Sequence, residues 1–268
     1  MPNQKILYVT TEMFPYQEDS NMAMMVNKMA LKMHQEGNDV RVFMPRFGFI
    51  SERKFQLHEV IRLSGMNIII NDLDQPLIIK VASLPGERLQ VYFIDNDEYF
   101  KRKATFTDEE GVLYPDNDER AIFFAKGVVE TVKKLNWVPD VIHVHGWMAS
   151  LLPVYLKQYY KNEGIFTDTK IVTSVYNSGF EGTIDLELKS KMQFDNIEAT
   201  SLQVIESPSY ENLMKLTIDH SDAIIMGSDN LSTTLTKYIQ SSGKPFLPFE
   251  PKETAKEVYT NFLRTKVI

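Results

Sequence analysis

Apolar positions along the chain fall into two registers that alternate with one another. Short, almost uninterrupted apolar runs at Ile6 to Val9, within Asp140 to Trp147, within Lys170 to Tyr176 and at Ala223 to Met226 read as strands buried on both faces of a parallel sheet. Between them, Met22, Met25, Val26, Met29, Ala30 and Met33 fall at helical spacing with Gly37 as a stop, and Ile122, Phe123, Ala125, Val129, Val132 and Leu135 do the same to about Asn136. A methionine stripe of this kind is core filling before it is a ligand box. Asp39 to Pro45 alternates Val40, Val42 and Met44 with Arg41 and Phe43, a second strand that completes a strand–helix–strand unit. The pattern predicts an α/β domain, a doubly wound Rossmann-like parallel sheet.

An insertion interrupts it. Met66, Ile68 and Ile70, then Leu77, Ile79 and Val81, alternate around Asn71 to Pro76, which predicts a β-hairpin turning on those six residues, followed by a strand from Leu89 to Asp95. Asn96 to Asn117 is polar and turn-rich and is expected to be a surface loop, with Asp116 and Glu119 spaced as a capping box for the helix that follows. The strand ending at Trp147 should lead into a helix through Leu156. Gly179 to Ser209 is weakly patterned; Tyr210 to Asp219 and Asn230 to Gln240 should be helices, the second capped near Ser228 or Asp229. Gly243 to Pro251 reads as a linker and Lys252 to Lys266 as a last helix.

The loop after the first strand is where α/β proteins usually hold a phosphate. Such loops use glycines, so that amides approach the oxygens, and a cation to offset the charge. From Glu12 to Met22 there is no glycine, lysine or arginine, and Glu18 and Asp19 would repel a diphosphate. The stretch suits a helix cap better than a nucleotide.

A formal charge of -7 argues against nucleic acid or an anionic membrane as partner. The absence of cysteine excludes disulfides, thiolate metal sites and cysteine nucleophiles. No signal-type or membrane-length apolar run is present, so a cytoplasmic protein is expected. His143 and His145 share a strand face, yet no third ligand lies nearby in sequence, so no metal site is expected. Asp95, Asp97 and Glu98 read as structural, and Asp108, Glu109 and Glu110 as a solvated loop.

Several stretches together resemble the bacterial glycogen synthase and plant starch synthase family. They are Lys5 to Pro15, Gly37 to Gly48, Val91 to Phe100, Tyr114 to Arg120 and Asp140 to Leu156, in the family's order and spacing over roughly the first 240 residues. The resemblance implies a glycosyltransferase of family 5, with residues 1–242 as the N-terminal Rossmann-like half of a GT-B fold, and 243–268 as a linker and a C-terminal helix packing on it. In that family glucose passes from ADP-glucose to an α-1,4-glucan in a cleft between two such halves, with no cofactor. The second half carries the arginine, lysine and glutamate that hold the donor, and it has no counterpart in the matched stretch.

Where the family does chemistry, this chain departs from it. The family's Lys-x-Gly-Gly-Leu loop aligns with Glu18 to Met22, so its donor-binding lysine is Glu18, its glycines are Ser20 and Asn21, and its acidic residue further on is Met24. His-Asp-Trp-His becomes His145-Gly146-Trp147-Met148, replacing the second histidine by a thioether that cannot donate to a sugar hydroxyl. Ile-His-Asn-Leu-Ala-Tyr-Gln-Gly becomes Val175 to Gly182, with Tyr176 for the histidine while Asn177 and Gly182 remain, and Val-Ser-Pro-x-Tyr becomes Met226 to Asn230. His145, Trp147, Asn177 and Gly182 are the residual candidates for binding a ligand.

The resemblance therefore implies a synthase-like domain that has lost glucosyl transfer and serves as a glucan- or protein-binding, regulatory module. Two other readings stand beside it: a glucosyltransferase completed by a partner chain that supplies the second half, and a single Rossmann-like half acting as a small-molecule sensor. Expected partners are an α-glucan, a sugar nucleotide, or a protein or second copy on the face that the other half would cover, to which Met24 and Met148 would add apolar surface.

Overall fold

The structure is a computed structural model and describes residues 3–251 and 255–267. Strands β1 (Lys5–Thr10), β2 (Asp39–Pro45), β3 (His58–Glu59), β4 (Met66–Ile70), β5 (Leu73–Ser83), β6 (Gln90–Asp95), β7 (Val141–His145), β8 (Lys170–Val175), β9 (Ala223–Met226) and β10 (Phe246–Leu247) form one sheet. Its order is β10-β9-β8-β7-β1-β2-β6-β5-β3, with β4 on β5. Every pairing from β10 to β6 is parallel, and β5 turns the sheet antiparallel against β6, β3 and β4. Residues Ile6 to Val9, Ile142, Val144, Val172 and Ile224 are almost wholly buried, which is why these strands read as apolar runs. The order reverses at β1, which lies between β2 and β7, and a crevice at the carboxyl ends of the strands is expected there.

The helix Asn21–Gln35 buries Met22, Met25, Val26, Met29 and Met33 as its spacing predicts. The hairpin is present, but its turn is only Asn71-Asp72, both at positive φ, with Ile70 opposite Leu73, so Leu73 to Pro76 already belong to β5. An Asn-Asp pair can adopt the left-handed region, and this tightens the turn from the six residues expected to two.

Asn96 to Asn117 runs at the surface from Lys101 to Asp116, as expected, but is anchored at both ends. Asn96 caps a helical turn, Asp97–Phe100, whose Tyr99 and Phe100 are buried. Arg120 is fully buried and donates to the Tyr99 carbonyl at 2.8 Å and to Asn117 Oδ1 at 2.6 Å. Asp116 makes no cap to the helix Asn117–Leu135; its carboxylate takes a bidentate pair from Arg102 at 2.6 Å for each bond. The guanidinium outcompetes the helix amides for that carboxylate.

After β7 the chain does not run as one helix to Leu156. It passes through a 3-10 turn at Trp147–Ala149, a short α turn at Leu152–Val154 and a π turn at Tyr155–Tyr159. Pro153 lacks the amide that a continuous helix would use. The helix expected from Asn230 starts later, at Thr233, with Ser232 as its cap. The linker contains β10, a two-residue edge strand beside β9. Of the last expected helix, Ala255–Phe262 is α-helical and Leu263–Val267 a π turn, while Lys252 to Thr254 lie outside the described residues. Tyr259, Phe262 and Leu263 are buried, and Arg264 pairs with Glu36 at the end of the first helix. Among the described residues no helix is long and apolar enough to cross a membrane.

Candidate functional site

A cleft of about 600 Å³ opens at the carboxyl ends of β1, β8 and β9. One wall is the strap after β1. Glu12 is fixed there because its amide donates to Thr10 Oγ1 at 3.1 Å and its carbonyl accepts from the same hydroxyl at 2.7 Å. Ser20 donates to the Glu12 carboxylate while accepting the Ala23 amide at 3.2 Å, so one serine joins the carboxylate to the helix start. This is the cap that the loop composition predicts, supplied by Ser20 and not by Glu18 or Asp19. Burial raises the pKa of Glu12, opposed by the hydrogen bonds from Ser20 and Gln17.

The opposite wall carries Tyr176, Asn177, Ser178, Gly227, Ser228, Asp229 and Asn230, with Phe249 at the rim. The Asn177 amide donates to Ser228 Oγ at 3.0 Å, and the Gly227 amide to the Val175 carbonyl at 2.7 Å. Tyr176 is the floor. Its hydroxyl lies 2.8 Å from Nδ1 of His145, and burial holds its proton well beyond the usual phenol range.

Tyr176 also explains Gly227. A Cβ on Gly227 would lie 2.5 Å from the Tyr176 ring, so the phenol that stands where the family has histidine requires the bare backbone that stands where the family has serine. The two departures are one packing solution. Gly227→Ser alone is expected to cost about 1–3 kcal/mol, and Tyr176→His added to it to return most of that loss. Urea unfolding of both single variants and the double variant measures the coupling; strictly additive costs would show that the sites are independent. Gly146, in place of the family's aspartate, sits at φ +81°, and a Cβ there would meet Thr11 Oγ1 at 2.2 Å.

The residual candidates do not converge. His145 is fully buried beneath Tyr176, with burial and the neighbouring His143 holding its pKa well below the ordinary value. Its ring centroid is 4.0 Å from that of His143, which is held down to about 3 by burial and bonded to Ser174 at 2.8 Å. Among the described residues no group of three or more His, Asp or Glu is placed to hold a metal. Trp147 is 3% exposed, packed between Phe106 and Phe180 at 4.8 and 5.0 Å between ring centroids. Asn177 lines the cleft, whereas Gly182, at φ +77°, lies on an exposed loop that does not. Met148 is fully buried, because its 3-10 turn points it into the core, and adds nothing to an exposed face; Met24 is half-buried. Glu18 is exposed and pairs with Lys54 at 3.4 Å.

The sequence did not point to Glu12, Ser228, Asp229 or Phe249 as site residues, Ser228 and Asp229 being expected only as a helix cap. The available signal was position, since each closely follows a predicted strand end or sits in the predicted linker. Taken together, the described residues of the cleft lining contain the carboxylates of Glu12, Asp19 and Asp229, several amides and hydroxyls, and no lysine or arginine.

Comparison with known proteins bears directly on this geometry. A family described as "Starch synthase catalytic domain" matches residues 5–243. The glycogen synthase of Chlorobium limicola is 35% identical over 223 residues, covering 83% of this chain and 45% of the relative. That of Chlorobium phaeobacteroides is 38% identical over 191 residues, covering 71% and 39%. The fold is similar to that of the catalytic domain of Starch Synthase IV from Arabidopsis thaliana, described as bound to ADP and acarbose, with a TM-score of 0.75 at 14% identity over 92% of this chain and 51% of that one. The chain spans about half the length of the relatives it matches. It belongs to the starch synthase catalytic domain family.

Proposed function

We propose that this domain recognises α-glucan and does not transfer glucose. The observation that carries the reading is the charge of the cleft: among the described residues, Glu12, Asp19 and Asp229 line it and no cation does. A nucleoside diphosphate brought there would meet carboxylates with nothing to offset them, at several kcal/mol per close charge pair for an effective dielectric of about 20. A neutral polyol would meet amides, hydroxyls and the Phe249 ring instead, which is chemistry suited to sugar hydroxyls.

Calorimetric titration with ADP, ADP-glucose and maltoheptaose, run beside an assay of labelled glucose incorporation into glycogen, tests this. Heat is expected from maltoheptaose only, with no incorporation. Binding of ADP-glucose with turnover would overturn the reading. One observation favours the second reading, a transferase completed by another chain: the relatives are about twice as long as the stretch this chain matches. In that case incorporation would appear only when a polypeptide carrying a second GT-B half is added.

A further inference from the structure

Leu31 lies on the side of the helix Asn21–Gln35 that faces away from the buried methionine stripe, where solvent favours a polar residue, yet it is half-buried. Other segments wall it in. Phe14 and Pro15 of the strap, Phe55 at the end of the helical turn Glu52–Phe55, and Leu84 and Pro85 after β5 enclose with it a pocket of about 500 Å³. This pocket shares no lining residue with the cleft. Its size and its apolar wall are those of a small-molecule site, in which a few polar groups fix orientation. Phe14 lines it with 36% of its surface exposed, an aromatic side chain that the chain leaves partly uncovered.

The polar groups decide the class of ligand. Lys54 pairs with Glu18 at 3.4 Å and lies 4.8 Å from the centre of the Phe55 ring, so its charge is matched within the lining. Glu87 is the charge left over, accepting only from Gln35 at 3.5 Å. One carboxylate in excess disfavours a phosphate or any other anion. Asn27, half-buried one helical turn before Leu31, has its Oδ1 enclosed without a partner among the described residues. The end of that amide left to face the pocket is the nitrogen, a donor that calls for an acceptor.

We infer that this pocket binds an uncharged, flat apolar molecule carrying one hydrogen-bond acceptor, with its ring against Phe14 and Leu31 and its acceptor on the Asn27 amide. The inference goes beyond glucan recognition and stands without it.

Nile red, a neutral fused aromatic with a ring carbonyl, tests this, because its emission brightens and moves to the blue in apolar surroundings. It is titrated into the chain and into Leu31→Gln, Phe14→Ala, Asn27→Leu and Phe194→Ala, with a thermal melt of each variant confirming the fold. Phe194 is the control, an exposed phenylalanine outside the pocket. Leu31→Gln and Phe14→Ala are each expected to weaken binding about tenfold and Asn27→Leu about threefold, while Phe194→Ala stays within about twofold. Affinity unchanged in both Leu31→Gln and Phe14→Ala, or lost to the same extent in Phe194→Ala, would overturn the site. Affinity unchanged in Asn27→Leu would overturn the hydrogen bond. No blue-shifted emission with the unaltered chain would overturn the whole inference.

Discussion

Lys126→Ala is expected to destabilise the domain by about 3–5 kcal/mol, because it strands a buried carboxylate. The Lys126 and Asp195 side chains are 4% and 8% exposed and meet at 2.7 Å. The ammonium also donates to the Ile69 carbonyl at 2.7 Å, and Tyr155 donates to the other Asp195 oxygen at 2.7 Å. Removing the lysine leaves two acceptors in a site with little water to take its place. The replacement of both partners, Lys126→Met with Asp195→Leu, should cost less than the single change, since it removes both charges at once. Urea unfolding curves measure this, and a loss below about 1 kcal/mol in Lys126→Ala would show that the pair is solvated and weak. Asp195 follows the helix Leu188–Phe194, so this pair fastens the weakly patterned stretch after β8 onto the long helix and the hairpin. Lys191 fastens it a second time, through Asp118 at 2.7 Å and Glu119 at 2.8 Å.

Acid is expected to unfold the protein through its buried histidines. His143 titrates at about 3 in the folded chain because burial disfavours its charged form, against about 6.5 when unfolded. The unfolded state therefore binds the extra proton between these values, so stability is full above about pH 6.5 and falls as pH drops towards 3. The slope is about 1.4 kcal/mol per pH unit for one histidine, or some 4–5 kcal/mol over the whole window. His145 acts in the same direction.

Asp118, raised to about 6 by burial despite Lys191, acts in the opposite direction below pH 6, and Glu12 does likewise. The clean comparison is of slopes. His143→Gln should flatten the dependence of unfolding free energy on pH between about 6.5 and 4.5 by roughly 1 kcal/mol per unit. Identical slopes would mean that His143 takes its proton in the folded state as readily as in the unfolded one.

The parallel strands were legible because each is an apolar run that the sheet buries on both faces, and the first helix because its methionines keep one face. What was not legible was any feature decided by a single distant partner. Arg120 and Asn117 are polar, and their burial depends on bonds to one another and to the Tyr99 and Phe106 carbonyls, so no local pattern announced it. Asp116 looked like a cap until Arg102 claimed it. In the candidate site, the lack of glycine and lysine in the strap was plain from composition, and so was its role as a cap. The dependence of Gly227 on Tyr176 joins residues on neighbouring strand ends, and no local pattern encodes it. Nor does spacing say whether Trp147 faces a ligand or is shut between two phenylalanines.

The two ends of the strand order have a bearing on how copies of this chain can meet. One end is β10 and the other β3, each only two residues long. A strand that short offers an incoming chain too few free amides and carbonyls to nucleate a shared ladder, a device that blunts growth of a sheet from molecule to molecule. The β4 hairpin strand sits off this path and is engaged by Lys126 at the Ile69 carbonyl. Association of two such domains through those two ends is thereby disfavoured, which leaves side-chain surfaces, among them the mouth at the carboxyl ends of the strands, as the places where copies could meet.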